Sequence, residues 1–567
     1  MIARSRKKRK FNIGVPFIII ILGVVAFLSF KLYEKYSFTS EKVDLTEYIG
    51  ASGDDVAIYL NDVPKSVSDE GSNYFAIKEH DATYLPLSFV KEFINNRFYY
   101  AKDVSKILYC LPDEVKSFGD TDMHQMGNAP YVVFRDEPYL LIDYVKDYSN
   151  IRYDMYLDDE AKRVYVYTDW DKEDIGYLKS REAVRVQGGN KSKVITTLRR
   201  GEEIKILDQM TKWYKVKTSD GYIGYIRKSK IGKTEERIPT SDYIEFIRPG
   251  NKLQNKVCLG FHQVFSVYST ANMPTLLKYT EGMNVIAPTW LVIRSNEGAL
   301  FSNASDAYVQ YCHNKGLSVW ATVNNFDMGH FDDKKIFSST KNRRSLIERI
   351  VREVTVNGLD GINLDIEKVP TDAGEDYTEF VRELSIELTK IGCILSIDTY
   401  VPYAYNSHYD LKEYNDFCDY VIIMCYDEHY AGSKEAGSVS SIGYVRDGIN
   451  LSLVDVDKDK LIIALPFYTR VWTTLSDGSV GSIVGGSLAM ENSARKSGLT
   501  FAFDDVTCQN YGIKTGSDGS KIECWLEDEL SLAYKTTEIK NADLADTAAW
   551  KLGQERETFF SIININE

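Results

Sequence analysis

The 567-residue chain (64.6 kDa) carries 68 Lys and Arg against 82 Asp and Glu, with 44% hydrophobic and 13% aromatic residues, which excludes a disordered or fibrous chain and exceeds what one core can hold. Six of the bases and no acid fall within residues 1–10, so a net charge of −14 leaves the remainder at −20. A body that acidic repels phosphate backbones, and nucleic acid is excluded as a partner.

Behind the basic segment, residues 11–30 read FNIGVPFIIIILGVVAFLSF without a charge. At about 1.5 Å per residue this run crosses about 30 Å of hydrocarbon. The preceding bases hold residues 1–10 in the cytoplasm, which predicts a single-pass cell-membrane anchor with the ectodomain outside. A cleaved signal peptide is the alternative, but FLSFKLYEKY offers no clear small-residue cleavage pair. Eight cysteines form no CxxC pair. Cys258, Cys393 and Cys425 lie in apolar runs and read as buried strand residues, so only Cys508 and Cys524, flanking a polar stretch, make a plausible bridge.

Residues 43–170 contain an internal repeat offset by 55: YLPLSFVKEFINNRFY at 84–99 aligns with YLLIDYVKDYSNIRYD at 139–154. Each copy reads as strand, helix, then a Tyr/Val-rich strand, a small duplicated α+β module serving as a stalk. It resembles the N-terminal stalk-like domain of copper amine oxidases, without copper ligands, and no oxidase activity is inferred. Residues 181–232 change to short β runs separated by turn signals, the spacing of a small β-barrel. Gly201, Trp213, Tyr214, Gly221, Gly224 and Tyr225 carry a resemblance to bacterial SH3-type domains, which implies docking on cell-wall peptides; the other reading of Trp213 and Tyr225 is core packing.

Residues 250–567 alternate apolar runs (VCLGF, NVIAPTW, LSVWATV, GINLDIE, ILSIDTYV, YVIIMCYD, LIIALPFY) with longer amphipathic or polar stretches. With AAWKLG the runs number eight, which predicts an α/β (β/α)₈ TIM barrel with its chemistry at the C-terminal strand ends. The architecture expected is therefore this barrel preceded by the small β-barrel, the α+β module and an N-terminal transmembrane helix. A Gly- and Ser-rich stretch, 473–523, interrupts the seventh and eighth runs and is expected to wall the cleft.

In the fourth run a period of two puts Ile362, Leu364 and Ile366 on one face and Asn363, Asp365 and Glu367 on the other. The apolar face packs on helices, so the polar three point into the barrel mouth. Two carboxylates two residues apart repel each other, and partial desolvation leaves one of them protonated near neutral pH, as a general acid requires.

DGINLDIE resembles the DGxDxDxE signature of glycoside hydrolase family 18, and the resemblance extends over the C-terminal segment through Trp290, the Met424-Cys425-Tyr426-Asp427 run, Tyr468 and Trp550, each at a strand end. It implies retaining hydrolysis in which the substrate's own 2-acetamido oxygen attacks C1, with no cofactor and no metal. By that resemblance Glu367 protonates the glycosidic oxygen and then activates water, Asp365 holds the acetamido N–H, and Tyr426 hydrogen-bonds the acetamido oxygen. Asn363, Met424, Asp427, Tyr468, Trp550 and Trp290 are assigned to substrate binding, Trp550 as the apolar floor. The signature's middle Asp is Asn363, which is expected to donate a hydrogen bond to Asp365 and to leave it without an acidic neighbour; this Asn resembles the spore-germination and peptidoglycan-active branch. The expected partner is peptidoglycan, cortex or another N-acetylglucosamine glycan. Chitin is the alternative substrate, and a non-catalytic wall-binding protein the alternative class. His262, His313 and His330 are read as structural or surface residues.

Overall fold

A computed structural model describes residues 14–66, 73–124, 127–266, 272–326 and 331–566. The basic segment 1–10, the first residues of the expected span and His330 lie outside them. The chain divides into two compact units, Met1–Phe98 with Gly119–Glu245, and Tyr99–Phe118 with Phe246–Glu567.

In the first unit a helix runs Gly14–Tyr36, past the 11–30 segment, and its apolar side chains are exposed, Phe17, Ile20 and Leu22 at 60% or more. Phe17–Tyr36 is long and apolar enough, at a mean hydropathy of 2.1, to cross a membrane. The two repeat copies form matching hairpins, Phe75–Glu79 with Ala82–Pro86 and Tyr131–Phe134 with Glu137–Leu141. Their turns use positive φ at His80, and at Arg135 and Asp136, which matches the right-handed strand twist. A helix follows each, Leu87–Phe93 and Ile142–Asp147. The copies pair with each other, Tyr84 opposite Leu141 and Pro86 opposite Tyr139, so duplication closes one sheet.

The small β-barrel has seven strands, from Glu173–Leu178 to Ile231–Arg237, one more at each end than the sequence pattern gave. Trp213 and Tyr225 are half-exposed there.

The second unit is a closed parallel barrel of β1 (Val257–His262), β2 (Val285–Pro288), β3 (Ser318–Asn324), β4 (Gly361–Asp365), β5 (Ile394–Tyr400), β6 (Tyr420–Met424), β7 (Leu461–Pro466) and β8 (Asp546–Trp550). All eight expected runs form strands, and β8 closes against both β1 and β7. The floor is filled by Trp320 stacked on Tyr420 at 5.4 Å. Gly361 lies opposite Trp320 because a Cβ there would stand 2.6 Å from the indole. Ile362, Leu364 and Ile366 pack outward with the helices, whereas Val257, Leu259, Ile422 and Ala464 fill the interior.

The helix Gly374–Lys390 is buried nearly all round. One side covers the barrel; on another, Tyr99 donates to Asp376 at 2.6 Å and Cys110 lies 3.5 Å from Glu379. Between β7 and β8 the Gly/Ser-rich stretch becomes a five-stranded antiparallel sheet over residues 468–526, with a helix at Ser487–Lys496. All eight cysteines are free, so the Cys508–Cys524 bridge that the sequence left open does not form: Cys524 is buried in the insertion's own small core and Cys508 is half-exposed.

Candidate active site

The ends of β3, β4, β5, β6 and β8 carry the site. On β4 the pleat turns Asn363 and Asp365 inward, at 0% and 4% exposure, and Glu367 follows half-buried just beyond the strand. Lys368 adopts φ 56°, so the chain turns sharply after Glu367 and aims the carboxyl across the mouth. Asn325, past the end of β3, fixes that turn: its Oδ1 accepts from the Glu367 N–H at 3.1 Å and its Nδ2 donates to the Glu367 carbonyl at 2.8 Å. The same amide donates to Asp333 at 3.1 Å, and burial pushes the Asp333 carboxyl up to about 6.

Glu367 accepts a 2.8 Å hydrogen bond from Tyr400, at the end of β5. Burial raises the carboxyl above its usual range, and the Tyr400 hydroxyl pulls the other way. Tyr400 is itself held edge-on by Tyr409, whose hydroxyl donates to the Ile366 carbonyl and accepts from the Val369 N–H.

Asp365 is raised well above a normal carboxyl, first by burial and then by the charges of Asp398 and Glu367. Asp398, on β5 and 3% exposed, is raised in the same direction by burial. The expectation for Asn363 is corrected. Its Nδ2 donates across to β5, to Ser396 at 3.1 Å and Asp398 at 2.8 Å, rather than to Asp365. The acidic neighbour absent from β4 is supplied by β5.

From β6, Met424 ends the strand at 7% exposure, with Tyr426 and Asp427 beyond it. Asp427, at φ 54°, accepts a 2.6 Å hydrogen bond from Tyr468 and lies 3.7 Å from Arg470. Trp550, the last residue of β8, stacks near Tyr426 at 6.5 Å and 25° and leans on Phe261. A cavity of about 240 Å³ opens beside it, lined by Gln263, Asn324, Phe265, Phe301 and Phe326. A larger cavity, about 470 Å³, lies in the first unit, but its cations are already paired, Lys217 with Asp154, Lys205 and Arg152 with Glu173.

Trp290 does not join the cleft. It is 0% exposed between the strands and the helices, edge-on to Tyr308 at 4.6 Å, which corrects its assignment to substrate. His262 is buried against Tyr308 and kept neutral, its imidazole pushed down to about 4 by burial, and His313 pairs with Asp360 at 2.8 Å. Tyr400, Asp398 and Asn325 were absent from the sequence reading. The available signal was an Asp inside the apolar run ILSIDTYV, where a buried charge is costly without a partner.

Chemically, the cleft offers a protonatable carboxyl at its rim, a second carboxyl buried beneath it, a buried phenol and an aromatic floor. Residues 240–555 match the sequence model of glycosyl hydrolases family 18, and residues 182–231 that of the bacterial SH3 domain. The chain is 24% identical over 320 residues to the uncharacterized glycosylase YvbX of Bacillus subtilis, covering 53% of this chain and 89% of that protein. It is 26% identical over 220 residues to the cortical fragment-lytic enzyme of the same organism, covering 37% of this chain and 50% of that protein, so it spans half of that relative's length. Among solved structures, a chitinase from Chromobacterium violaceum aligns at a TM-score of 0.49 and 19% identity over 55% of this chain and 98% of its own. The spore cortex-lytic enzyme SleL of Bacillus megaterium aligns at 0.48 and 17%, over 65% and 89%.

Proposed function

The chain belongs to glycosyl hydrolases family 18, and on that premise we propose that it is a membrane-anchored, extracytoplasmic enzyme cleaving N-acetylglucosamine-containing glycans, peptidoglycan or its cortex form, by substrate-assisted retaining catalysis. The observation that carries this reading is Glu367: a half-buried carboxyl, raised by its surroundings, held by Tyr400 and standing two residues beyond the buried Asp365. Protonated, it donates to the glycosidic oxygen as the bond to C1 breaks; ionised, it takes a proton from the water that later attacks C1. The substrate's acetamido oxygen supplies the intervening nucleophile, so the second carboxylate of a usual retaining pair is not needed. Asp365, as an anion, holds the acetamido N–H and balances the charge that grows on the ring. Tyr426 donates to the acetamido oxygen, Trp550 supports the apolar face of the sugar, and Asp427 with Tyr468 takes its hydroxyls.

A cortical fragment-lytic relative and a bacterial SH3 domain support a wall glycan over other substrates, and the apolar helix Gly14–Tyr36 supports the anchor. The test incubates the purified chain in detergent with peptidoglycan, cortex and chitin oligomers and reads the products by mass. The expected result is wall-glycan cleavage with retained anomeric configuration. Cleavage of chitin alone moves the substrate assignment, and cleavage of none supports a wall-binding protein. Membranes should retain the chain through an alkaline wash; its release would remove the anchor.

A further inference from the structure

Lys551, the residue after Trp550, is a half-buried cation that the mechanism above does not use. Its Nζ donates to the side-chain oxygen of Gln263. Burial lowers its pKa, and no carboxylate acts on it to oppose that. Its charge is felt instead by His262, whose imidazole it helps to keep neutral. An ammonium drawn out of water without a counter-ion is costly, and a carboxylate arriving with the substrate offsets that cost. In a chain with so large an excess of acids, a cation left without one marks a place kept for an anion.

Gln263 joins Lys551 to the cavity beside Trp550, because it also lines that cavity. At about 240 Å³ this is a space for one ring rather than for a chain. Its rim is aromatic: Phe265, Phe301 and Phe326 are 78%, 44% and 46% exposed, and such rings support the apolar side of a sugar. Among the described residues no acid lines it, and the charged side chain there is Arg294, over the Phe301 ring at 5.1 Å. Trp550 borders both this cavity and the floor assigned to the reacting sugar, so the cavity takes the next sugar of the chain. In a wall glycan N-acetylglucosamine alternates with muramyl residues. Whichever way the strand runs, the neighbour of an N-acetylglucosamine over Trp550 is therefore a muramyl residue, with its 3-O-lactyl group.

We propose that this cavity receives the muramyl residue and that Lys551 binds a carboxylate carried by its lactyl group, either the lactyl carboxylate itself or one on the peptide attached there. The aromatic rim accepts any sugar of the chain, whereas the ammonium separates an acidic wall glycan from neutral chitin. On the proposed reading of the cleft, on which this assignment rests, Lys551 sets the substrate class. The same placement fixes the bond that breaks: with N-acetylglucosamine over Trp550, N-acetylglucosamine stands at the new reducing end of each product.

The test uses the full chain in detergent and three oligosaccharides of equal length: peptide-free N-acetylglucosaminyl-muramyl oligomers, the same oligomers with their carboxyls converted to amides, and chitin oligomers. Lys551→Met removes the charge and keeps most of the stem. On the acidic oligomers kcat/KM should fall by about 10–100-fold, through KM, the range of a lost charged hydrogen bond, while the two neutral substrates should not register the change. Lys551→Arg should restore most of the loss. Oligomers that carry the peptide, with the lactyl carboxyl spent in its amide bond, separate the two sources: a loss there places the carboxylate on the peptide, and no loss assigns it to the lactyl group. Equal losses on all three substrates would show a structural role and overturn the proposal. A wild type that treats acidic and amidated oligomers alike, or that leaves muramic acid at the new reducing ends, overturns it too. If the wild type cleaves none of them the glycosidase reading fails, and binding of the acidic oligomers decides: weaker binding by Lys551→Met keeps the assignment, and unchanged binding overturns it.

Discussion

Glu367 is placed by contacts that can be removed singly. Glu367→Gln keeps the side chain's shape and its acceptor for Tyr400 but cannot deliver a proton, so kcat should fall by about 10²–10⁴ with binding of a glycan oligomer nearly intact. Wild-type release of reducing ends by that variant would take Glu367 out of the reaction. Tyr400→Phe acts in a different way. The phenol donates to Glu367 and favours its anion, so its loss raises the Glu367 pKa further. The alkaline limb of kcat/KM, where the acid loses its proton, should therefore move to higher pH; a fixed limb would show that the contact does not tune the acid. Glu367 and Asp365 were legible because a strand exposing acids on one face announces itself, whereas Tyr426 came only with the family resemblance. Tyr400 and Asp398 were not, since a Tyr ending an apolar run looks the same whether it turns to the mouth or to the helices. Trp290 shows the reverse error: it ends such a run too, and packs outward.

At the level of elements, strand period and apolar run length gave all eight barrel strands, because a parallel strand buried on both faces has one compositional solution. The insertion was not readable, since its strands are short, Gly-rich and exposed on one side, as in VGSIVGG. What ties it to the barrel is a buried ion pair. Glu527, after the insertion's last strand, accepts from Lys535 Nζ at 2.7 and 2.6 Å, from Gln509 at 2.6 Å and from Ser531 at 3.0 Å. Both charges are essentially inaccessible, at 0% and 1%. Lys535→Met leaves the carboxylate buried and unpaired and should cost about 3–5 kcal/mol, seen as an earlier urea midpoint. Glu527→Gln/Lys535→Met, which removes both charges, should recover much of it. Equal losses in the single and double variants would mean that Lys535 matters for its packing alone.

Across the barrel as a whole, several buried acids without a paired cation are raised by burial, and this couples its stability to pH. Asp546, at the start of β8 and 0% exposed, has its carboxyl pushed up to about 8 by burial, with Thr547 opposing. Asp365 and Asp398 are raised in the same direction by burial. An acid whose folded pKa lies above its unfolded value binds more protons folded than unfolded between the two values, so stability falls as pH rises through that window and levels off above it. For Asp546 the window runs from 3.8 to about 8, and its full span is worth on the order of 5 kcal/mol as an upper bound. The urea midpoint of the barrel should therefore decline from mildly acidic pH toward pH 8, and tryptophan emission is a suitable probe because Trp290, Trp320, Trp472, Trp525 and Trp550 belong to this unit. Asp546→Asn cannot titrate and keeps one of the two acceptors that serve Thr547 and Asn566, so it should flatten the decline without abolishing the fold. A decline of unchanged slope in that variant would assign the pH dependence to the cleft acids, which Asp398→Asn then tests in the same measurement.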